Sequence, residues 1–233
     1  MNSDDVAVGR VLGRREVVAL LGLAGVGLLS PRPARAQAPA CVVRPEQTEG
    51  PFYVDERLDR SDIRSDPRTG EVRPGALLAL AFAVSSIRGG ACTPLPGAVV
   101  DVWHCDALGA YSDVGGPGAG QKFLRGYQVT DAGGLARFTT IYPGAYEGRA
   151  VHIHFKVRTA AGAARAHEFT SQIYFDDAIT DQVLAAEPYA RRGARRLRND
   201  ADGLFRRGGS QLLLPVTRSG PAYTGTFALA LAV

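Results

Sequence analysis

The sequence predicts an all-β domain, a β-sandwich of seven to eight mostly antiparallel strands with an extended N-terminal arm and long loops. Three observations predict it. Short apolar stretches recur between turn signals rich in Gly and Pro, residues 150–158 alternate apolar and polar side chains, and helical periodicity is confined to a short segment at 181–186. Many short strands with frequent turns are typical of a sandwich.

The segment 1–36 is predicted to be an export signal and not part of this domain. Arg14 and Arg15 precede an apolar run at 17–29 that is too short to span a bilayer, and Ala-Arg-Ala at 34–36 is a typical cleavage site. The paired arginines favour the twin-arginine route. An uncleaved membrane anchor is the alternative. We therefore expect a domain of residues 37–233 that is periplasmic or extracellular and has no stable membrane anchor after cleavage.

Charge and cysteine content narrow the classes of protein. The chain has 27 basic and 23 acidic residues, and removing the five basic and three acidic residues of the predicted signal leaves 22 against 20. Such a balance gives no reason to expect a nucleic-acid partner. The cysteines Cys41, Cys92 and Cys105 favour one disulfide and one free thiol in an oxidising compartment. Cys92 and Cys105 are expected at opposite ends of a hairpin, which favours Cys41 as one partner and leaves the pairing open.

The order of the predicted elements follows the turn signals. Residues 38–75 show no periodicity and are predicted to be an arm that wraps the domain. The segment 131–134 is expected to close a hairpin, and a second strand pair is expected around Gly162. Strands are predicted at 76–87, 98–104, 123–130, 135–141, 150–158, 168–175, 211–217 and 223–232.

Near the C-terminus, residues 191–207 are rich in arginine. An anionic partner is one interpretation, but a solvated loop whose arginines pair with Asp200 and Asp202 is favoured.

The most informative strand carries His152 and His154. Residues two apart leave the same face of a strand with their Cα atoms roughly 6.5–7 Å apart, so both imidazoles can reach one ion. The alternating apolar residues predict that only the opposite face is buried. Tyr146 lies just upstream, past a Pro-Gly turn, and can fold back towards the pair. Surface histidines on a half-exposed strand are the alternative interpretation, because such pairs also occur by chance.

Other polar side chains stand near the ends of predicted strands. Gly109 permits a turn that would bring Tyr111 over the end of the sheet, and Gln172 is a lone amide in an apolar strand, where it needs hydrogen-bond partners. Four tyrosines are predicted to be packing residues and two histidines structural. These are Tyr53, Tyr127, Tyr142 and Tyr174, together with His104 and His167.

Four motifs occur in an order that resembles the intradiol ring-cleavage dioxygenases, non-haem iron(III) enzymes that include catechol and protocatechuate dioxygenases. They are Trp-His-Cys-Asp-Ala-x-Gly-x-Tyr-Ser at 103–112, Pro-Gly-x-Tyr at 143–146, Arg-x-x-His-Ile-His-Phe at 149–155 and Gln-x-Tyr-Phe at 172–175. The resemblance implies an Fe(III) cofactor whose ligands are Tyr111, Tyr146, His152 and His154. Phenolate donors favour ferric iron, which agrees with this set.

The resemblance also implies the reaction and its other residues. A catechol-type diol would be cleaved by O2 between its two hydroxylated carbons to give a muconate-type product. Arg149, Gln172 and Tyr146 would be catalytic, with Arg149 stabilising negative charge that develops on the substrate. Gly50 and Pro51 of the arm are expected to contact the substrate.

Two departures from the family leave the diol and the oligomeric state open, and a homo-oligomer is not excluded. Catechol-type members carry a helical dimerisation segment before the sandwich, and no such segment is predicted here. Protocatechuate-type members usually carry Pro before the second tyrosine and an aromatic residue soon after it, whereas Ala145 and Glu147 flank Tyr146 here. Two other functions compete with the enzyme. One is a non-catalytic β-sandwich binding domain, and the other is a His-x-His site for Zn(II) or Cu(II) with incidental tyrosines.

Overall fold

Nine β-strands and one α-helix form the regular structure of the part of the chain that is described. The computed structural model describes residues 41–159, 167–193 and 197–233, so the predicted export signal and Gly162 lie outside the described residues. The strands are β1 (Leu77–Arg88), β2 (Ala91–Pro94), β3 (Val99–Trp103), β4 (Arg125–Val129), β5 (Leu135–Ile141), β6 (His152–Arg158), β7 (Glu168–Tyr174), β8 (Val216–Ser219) and β9 (Ala222–Leu231), and the helix is α1 (Asp177–Leu184). Short 3-10 turns are found at Gly116–Gly118, Tyr189–Arg192, Asn199–Ala201 and Gly209–Leu212.

The strands form two sheets, which confirms the predicted sandwich of mostly antiparallel strands. In the first sheet β1 pairs with β2, β5 and β9, and β8 pairs with the other edge of β9. The β1–β9 pairing is parallel, and the other pairings are antiparallel. The second sheet has the antiparallel order β4-β3-β6-β7. The histidine strand β6 is therefore an inner strand of the second sheet.

Aromatic side chains join the two sheets. The Phe155 ring of β6 lies 5.2 Å from the Phe82 ring of β1 and 5.3 Å from the Phe227 ring of β9, measured between centroids. All three side chains are fully buried, and burying each contributes about 2–3 kcal/mol. Alternate residues of β6 thus pack in the core, and the histidines leave the opposite face.

Three predictions about the strands are wrong in informative ways. The segment 131–134 does not close a hairpin, because β4 belongs to the second sheet and β5 to the first. Asp131 instead uses one carboxylate oxygen to accept from the amides of Gly133 and Leu135, both at 2.9 Å, where the chain crosses between the sheets. The strand predicted at 211–217 begins only at Val216, and β2 adds a ninth strand where a turn was expected.

The predicted arm is irregular, as expected, and it is fixed to both sheets. The Cys41–Cys92 disulfide joins its first described residue to β2, which confirms one disulfide and leaves Cys105 as a buried free thiol. Further along, the amide of Gln47 donates to the Thr170 carbonyl of β7 at 3.0 Å. Among the described residues, no helix is long and apolar enough to span a membrane.

Because of this arm, the prediction that β6 has one buried face is wrong. Residues His152 to Val157 are all buried. On the histidine face, Glu49 of the arm forms an ion pair with Lys156 at 2.6 Å, and Gly50 lies against His154. The histidine pair is therefore enclosed between the sheet and the arm.

Candidate metal centre

The two histidines of β6 point to the same place, as predicted. Their Nε2 atoms are 3.0 Å apart, and each side chain is only 1% exposed. His152 opposes Tyr174 and His154 opposes Gln172 in the pairing of β6 with β7. On the other side of β6, Trp103 opposes His154 and stacks on its ring at 5.1 Å. The pair is thus held by neighbouring strands on both sides.

The hydrogen bonds of the imidazoles leave lone pairs available for a cation. His152 Nδ1 donates to the Ala150 carbonyl at 2.7 Å, so the neutral ring has its lone pair on Nε2. Burial, assisted by the positive charge of Arg149, lowers the pKa of His152 to about 3. Burial also lowers the pKa of His154 well below its usual value, and its Nδ1 has no hydrogen-bond partner among the described residues. Both rings are therefore neutral at physiological pH.

The predicted tyrosine ligands lie beside this pair. Tyr146 Oη is 3.1 Å from His152 Nε2, and its ring is 5.6 Å from the ring of Tyr111. The Tyr111 ring is 6.3 Å from that of His154. Its hydroxyl is buried without a hydrogen-bond partner of good geometry among the described residues. The structure therefore brings two phenols and two imidazoles to one place.

Burial keeps both phenols protonated when no metal ion is bound, despite the nearby positive charge of Arg149. It raises the pKa of Tyr146 to about 12 and that of Tyr111 well above 10. An opposite charge close to a buried acid favours its ionised form, and a highly charged metal ion is strong enough to overcome such burial. The phenols can become anionic ligands, but only together with a metal ion.

Two interlocked loops place the tyrosines. Gly109 has φ +82°, and a Cβ there would be 2.4 Å from the carbonyl oxygen of Ala145. A Cβ on Gly144 would likewise be 2.4 Å from the carbonyl oxygen of Ala107. At Gly109 both the positive φ and the lack of space exclude a side chain. At Gly144 the lack of space alone excludes one, so only glycine fits at either position. The loop carrying Tyr111 is thereby locked against the loop that leads to Tyr146.

Arg149 reaches the same place through an extensive set of contacts. Its Nε donates to Asp202 at 2.9 Å, and its Nη2 donates to Gln172 Oε1 at 2.6 Å and to the Tyr174 hydroxyl at 3.1 Å. Its Nη1 points to His152 Nε2 at 3.5 Å. Burial alone would lower the pKa of Arg149, but the neighbouring phenols and Asp202 raise it on balance. The guanidinium is therefore a fixed positive charge beside the histidines.

Gln172 is fully buried, and both the oxygen and the nitrogen of its side-chain amide are hydrogen-bonded. Besides accepting from Arg149, its Oε1 accepts from Tyr174 at 3.1 Å, and its Nε2 donates to the Thr48 carbonyl of the arm at 2.9 Å. The amide therefore positions Arg149 and the arm together. Its predicted catalytic role stays a prediction.

The arm residues Gly50, Pro51 and Phe52 differ in how closely they contact the candidate site. Gly50 has φ +72°, and a Cβ there would lie 3.2 Å from His154 Cε1. The Phe52 ring stacks on Tyr111 at 4.3 Å. Pro51 between them is exposed. Gly50 thus touches the candidate centre, whereas the contact of Pro51 with a substrate stays a prediction.

Sequence reasoning missed three residues of the site. Tyr174 was predicted to be a packing residue, yet its hydroxyl is hydrogen-bonded to Arg149 and Gln172. Its position two residues after Gln172 could have indicated this, because residues two apart on a strand share a face. Trp103 belongs to one of the four motifs but had no predicted role, and its ring stacks on His154. Asp202 was expected to pair with the arginines of 191–207 but binds Arg149 instead, and no local pattern links residues 53 positions apart. Of those arginines, Arg198 pairs with Asp181 at 2.9 Å.

The chemistry of the donor set agrees with a ferric ion. Within the described ranges, no group of three His, Cys, Asp or Glu side chains is placed to hold a metal ion. A metal at the histidine pair therefore depends on the phenols, which as hard anionic donors suit ferric iron better than the softer Zn(II). A cleft of about 840 Å³ opens beside Tyr146 and is lined in part by Gly148, Arg192 and Arg198. Of the four candidate ligands Tyr146 borders this cleft, whose volume exceeds that of a small aromatic molecule.

Comparisons with known proteins find consistent relatives. The Dioxygenase_C family model, described as a dioxygenase, matches residues 48–202. Catechol 1,2-dioxygenase from Acinetobacter baylyi is 31% identical over 156 residues, covering 62% of this chain and 47% of that protein. The chain thus spans about half the length of the curated relatives it matches.

Solved structures give the same result over more of the chain. An intradiol ring-cleavage dioxygenase from Tetranychus urticae is 31% identical with a TM-score of 0.70, covering 82% of this chain and 94% of that one. The dioxygenase domain of a dioxygenase carbohydrate-binding protein fusion from Streptomyces sp. SirexAA-E is 30% identical with a TM-score of 0.60, covering 82% and 99%. The 3-chlorocatechol 1,2-dioxygenase from Rhodococcus opacus, at 20% identity and a TM-score of 0.58, shares the fold.

Proposed function

The chain belongs to the intradiol ring-cleavage dioxygenase family, and from that premise we propose that it is a non-haem Fe(III) enzyme acting on a catechol-type diol. It cleaves the ring between the two hydroxylated carbons, using O2, and the product is a muconate-type dicarboxylic acid. One observation carries the proposal. Four donors of the kind that ferric iron prefers converge in a buried place, where Nε2 of His152 is 3.0 Å from His154 Nε2 and 3.1 Å from Tyr146 Oη.

The residues that would hold the iron are Tyr111, Tyr146, His152 and His154. The fit is supported by the Tyr111 hydroxyl, which has no hydrogen-bond partner of good geometry among the described residues, by the convergence of the two histidine Nε2 atoms and by the neutral state of both imidazoles. Fe(III) held there would supply Lewis-acid chemistry, which would favour ionisation of a catechol-type diol and make its ring reactive towards O2.

Tyr146 is the residue best suited to move a proton. It is half-buried, borders the open cleft, and has a phenol whose pKa burial raises to about 12. An ionised Tyr146 is therefore a strong base at Oη, and it can accept a proton from the incoming diol. Tyr111 is almost fully buried under Phe52 and stays in place.

Arg149 supplies fixed positive charge to the reacting molecule. Its Nη1 faces His152, while Nε and Nη2 are held by protein acceptors. A preorganised charge in an enclosed site stabilises negative charge that develops on the substrate oxygens. Gln172 keeps the guanidinium in place, and Gly50 brings the arm backbone over His154, where it excludes water from the centre.

We also propose that the protein acts outside the cytoplasm, in the periplasm or beyond the cell. The Cys41–Cys92 disulfide supports this, because disulfides persist in oxidising compartments. Its partners would be the small diol and O2.

Visible spectroscopy tests the function directly. Tyrosinate bound to ferric iron absorbs visible light, so the iron-loaded protein should be red, and anaerobic catechol should shift the band. The Tyr111→Phe variant should lose part of the band, whereas Tyr127→Phe serves as the matched control. A colourless protein loaded with iron would exclude this centre, and a coloured protein whose spectrum ignores catechol would exclude the proposed substrate class.

A further inference from the structure

Asp202 is a buried carboxylate that the reaction as described does not use. Its side chain is 1% exposed, and aspartate is rarely so buried unless it is paired. Oδ1 accepts from the amides of Leu204 at 2.7 Å and Phe205 at 3.2 Å. Oδ2 accepts from Arg149 Nε at 2.9 Å and from the amide of Ala150 at 2.8 Å. One carboxylate therefore fastens the C-terminal part of the arginine-rich stretch 191–207 to the residues just before the histidine strand.

The contacts of Arg149 divide into two sets. Asp202, Gln172 and Tyr174 occupy the edge of the guanidinium that carries Nε and Nη2. The remaining nitrogen, Nη1, is directed to His152. A planar guanidinium bound along one edge cannot rotate without breaking those bonds, so its free nitrogen has one direction. Of the acceptors on that edge, Asp202 alone carries a full negative charge.

Strand geometry explains why such a contact is needed. Arg149 is three positions before His152, and in a continuous strand its side chain would leave the opposite face. The strand begins only at His152, and Gly148 before it has φ +80°. Asp202 binds the Arg149 side chain and the next backbone amide at once. This double contact turns the arginine towards the histidine face.

We propose that Asp202 is a positioning residue, which holds Arg149 so that Nη1 meets the charge developing on the substrate. This inference rests on the proposed function for its catalytic consequence. It adds a partner outside the four motifs, in a segment whose carboxylates were expected to pair with nearby arginines. A misplacement of about 1 Å at a charge of this kind can reduce turnover about 100-fold.

The kinetic test compares Asp202→Asn with Asp59→Asn in the full chain loaded with iron. Asp59 is an exposed carboxylate whose side chain bonds Gln128. We expect Asp202→Asn to keep its iron content and visible band, to lower kcat about 10- to 100-fold, and to change KM less than about threefold. Asp59→Asn should match the wild type. Loss of iron together with activity would instead indicate a purely structural role and would overturn the proposal.

A double-mutant cycle decides whether Asp202 acts through Arg149. If it does, Arg149→Ala with Asp202→Asn should be no slower than Arg149→Ala alone, because the second change has nothing left to position. Rate losses that multiply would refute the inference. If wild-type protein shows neither colour nor ring cleavage, the proposed function fails, and this result is recognised before any variant is compared.

The metal-free protein gives a readout that needs no activity. The Arg149 Nε–H signal, assigned by its absence from the Arg149→Lys spectrum, should be protected from exchange in nitrogen-15 NMR. It should lose that protection in Asp202→Asn and keep it in Asp59→Asn. Unchanged protection in Asp202→Asn would overturn the positioning role even in an inactive protein. Asp202→Ser, which is smaller and still accepts a hydrogen bond, replaces the Asn variant if that one does not fold.

Discussion

Replacing Gly50 by alanine tests whether the arm lies against the candidate metal centre. Gly50 has φ +72°, and an added Cβ would be 3.2 Å from His154 Cε1, closer than ordinary van der Waals contact. Gly70 provides a matched control, since it has φ +74° and no described atom would lie within 4 Å of its Cβ. The two variants share the cost of a left-handed backbone and differ in the contact with His154.

The expected magnitudes follow from that difference. A non-glycine residue in the left-handed region costs about 1–2 kcal/mol, and about 1 kcal/mol lowers the Tm of a domain of this size by about 2–4 °C. Both metal-free variants should therefore melt roughly 2–8 °C below the wild type. In Gly50→Ala the His154 ring must also shift by a few tenths of an ångström relative to His152. Disturbed support of a metal ligand typically weakens metal binding about 10- to 100-fold.

The assay has two parts. Melting curves of the metal-free proteins measure the shared backbone cost, and chelator competition followed at the visible band measures iron affinity. Gly50→Ala should bind iron at least about 10-fold more weakly than Gly70→Ala, which should stay within about twofold of the wild type. Equal iron affinity in the two variants would show that the arm leaves His154 in the loaded protein, and the enclosed site described above would be wrong.

Four further outcomes are expected. His152→Ala should lose iron and colour while remaining folded, which iron analysis and circular dichroism measure; retained colour would remove His152 from the ligands. Burial lowers the pKa of His104 to about 4, so the unfolded chain binds a proton below about pH 6.5 while the folded chain does so only below about pH 4. This histidine alone should therefore cost the metal-free protein up to about 3 kcal/mol of stability as pH falls between these values, in addition to the loss from His152 and His154, whose pKa values burial also lowers. Urea titrations of His104→Gln should show a flatter dependence on pH than those of the wild type, and equal slopes would contradict this. Reducing the Cys41–Cys92 disulfide should lower the free energy of unfolding by about 2–4 kcal/mol, measured by urea titration. Burial raises the pKa of the Cys105 thiol to about 12, so it should react with thiol reagents only after unfolding. Rapid labelling of Cys105 in the native protein would refute its burial.

Local patterns predicted the fold class because side-chain alternation and turn residues are encoded within a few positions. They could not predict which sheet each strand joins. The turn at Asp131 has the composition of a hairpin, yet β4 and β5 enter different sheets because each buries its apolar residues against other partners. Burial of the histidine face was missed for a similar reason. The arm that covers it lies about a hundred positions earlier in the chain, and nothing in the alternation of residues 150–158 reports it.

The positions of the candidate ligand side chains could be predicted because each lies close in sequence to the element that places it, whereas their role as ligands is what the family resemblance implies and stays a prediction. His152 and His154 need only the period of a strand, and Tyr111 needs only the turn at Gly109. Arg149 is different, since strand period alone would direct it away from the histidines. Its direction depends on where β6 begins and on Asp202, whose carboxylate binds both the Arg149 side chain and the Ala150 amide. The direction of a side chain that strand period fixes can thus be predicted from the sequence. The direction of Arg149, which depends on a carboxylate 53 positions away, can be known only from the contacts in the structure.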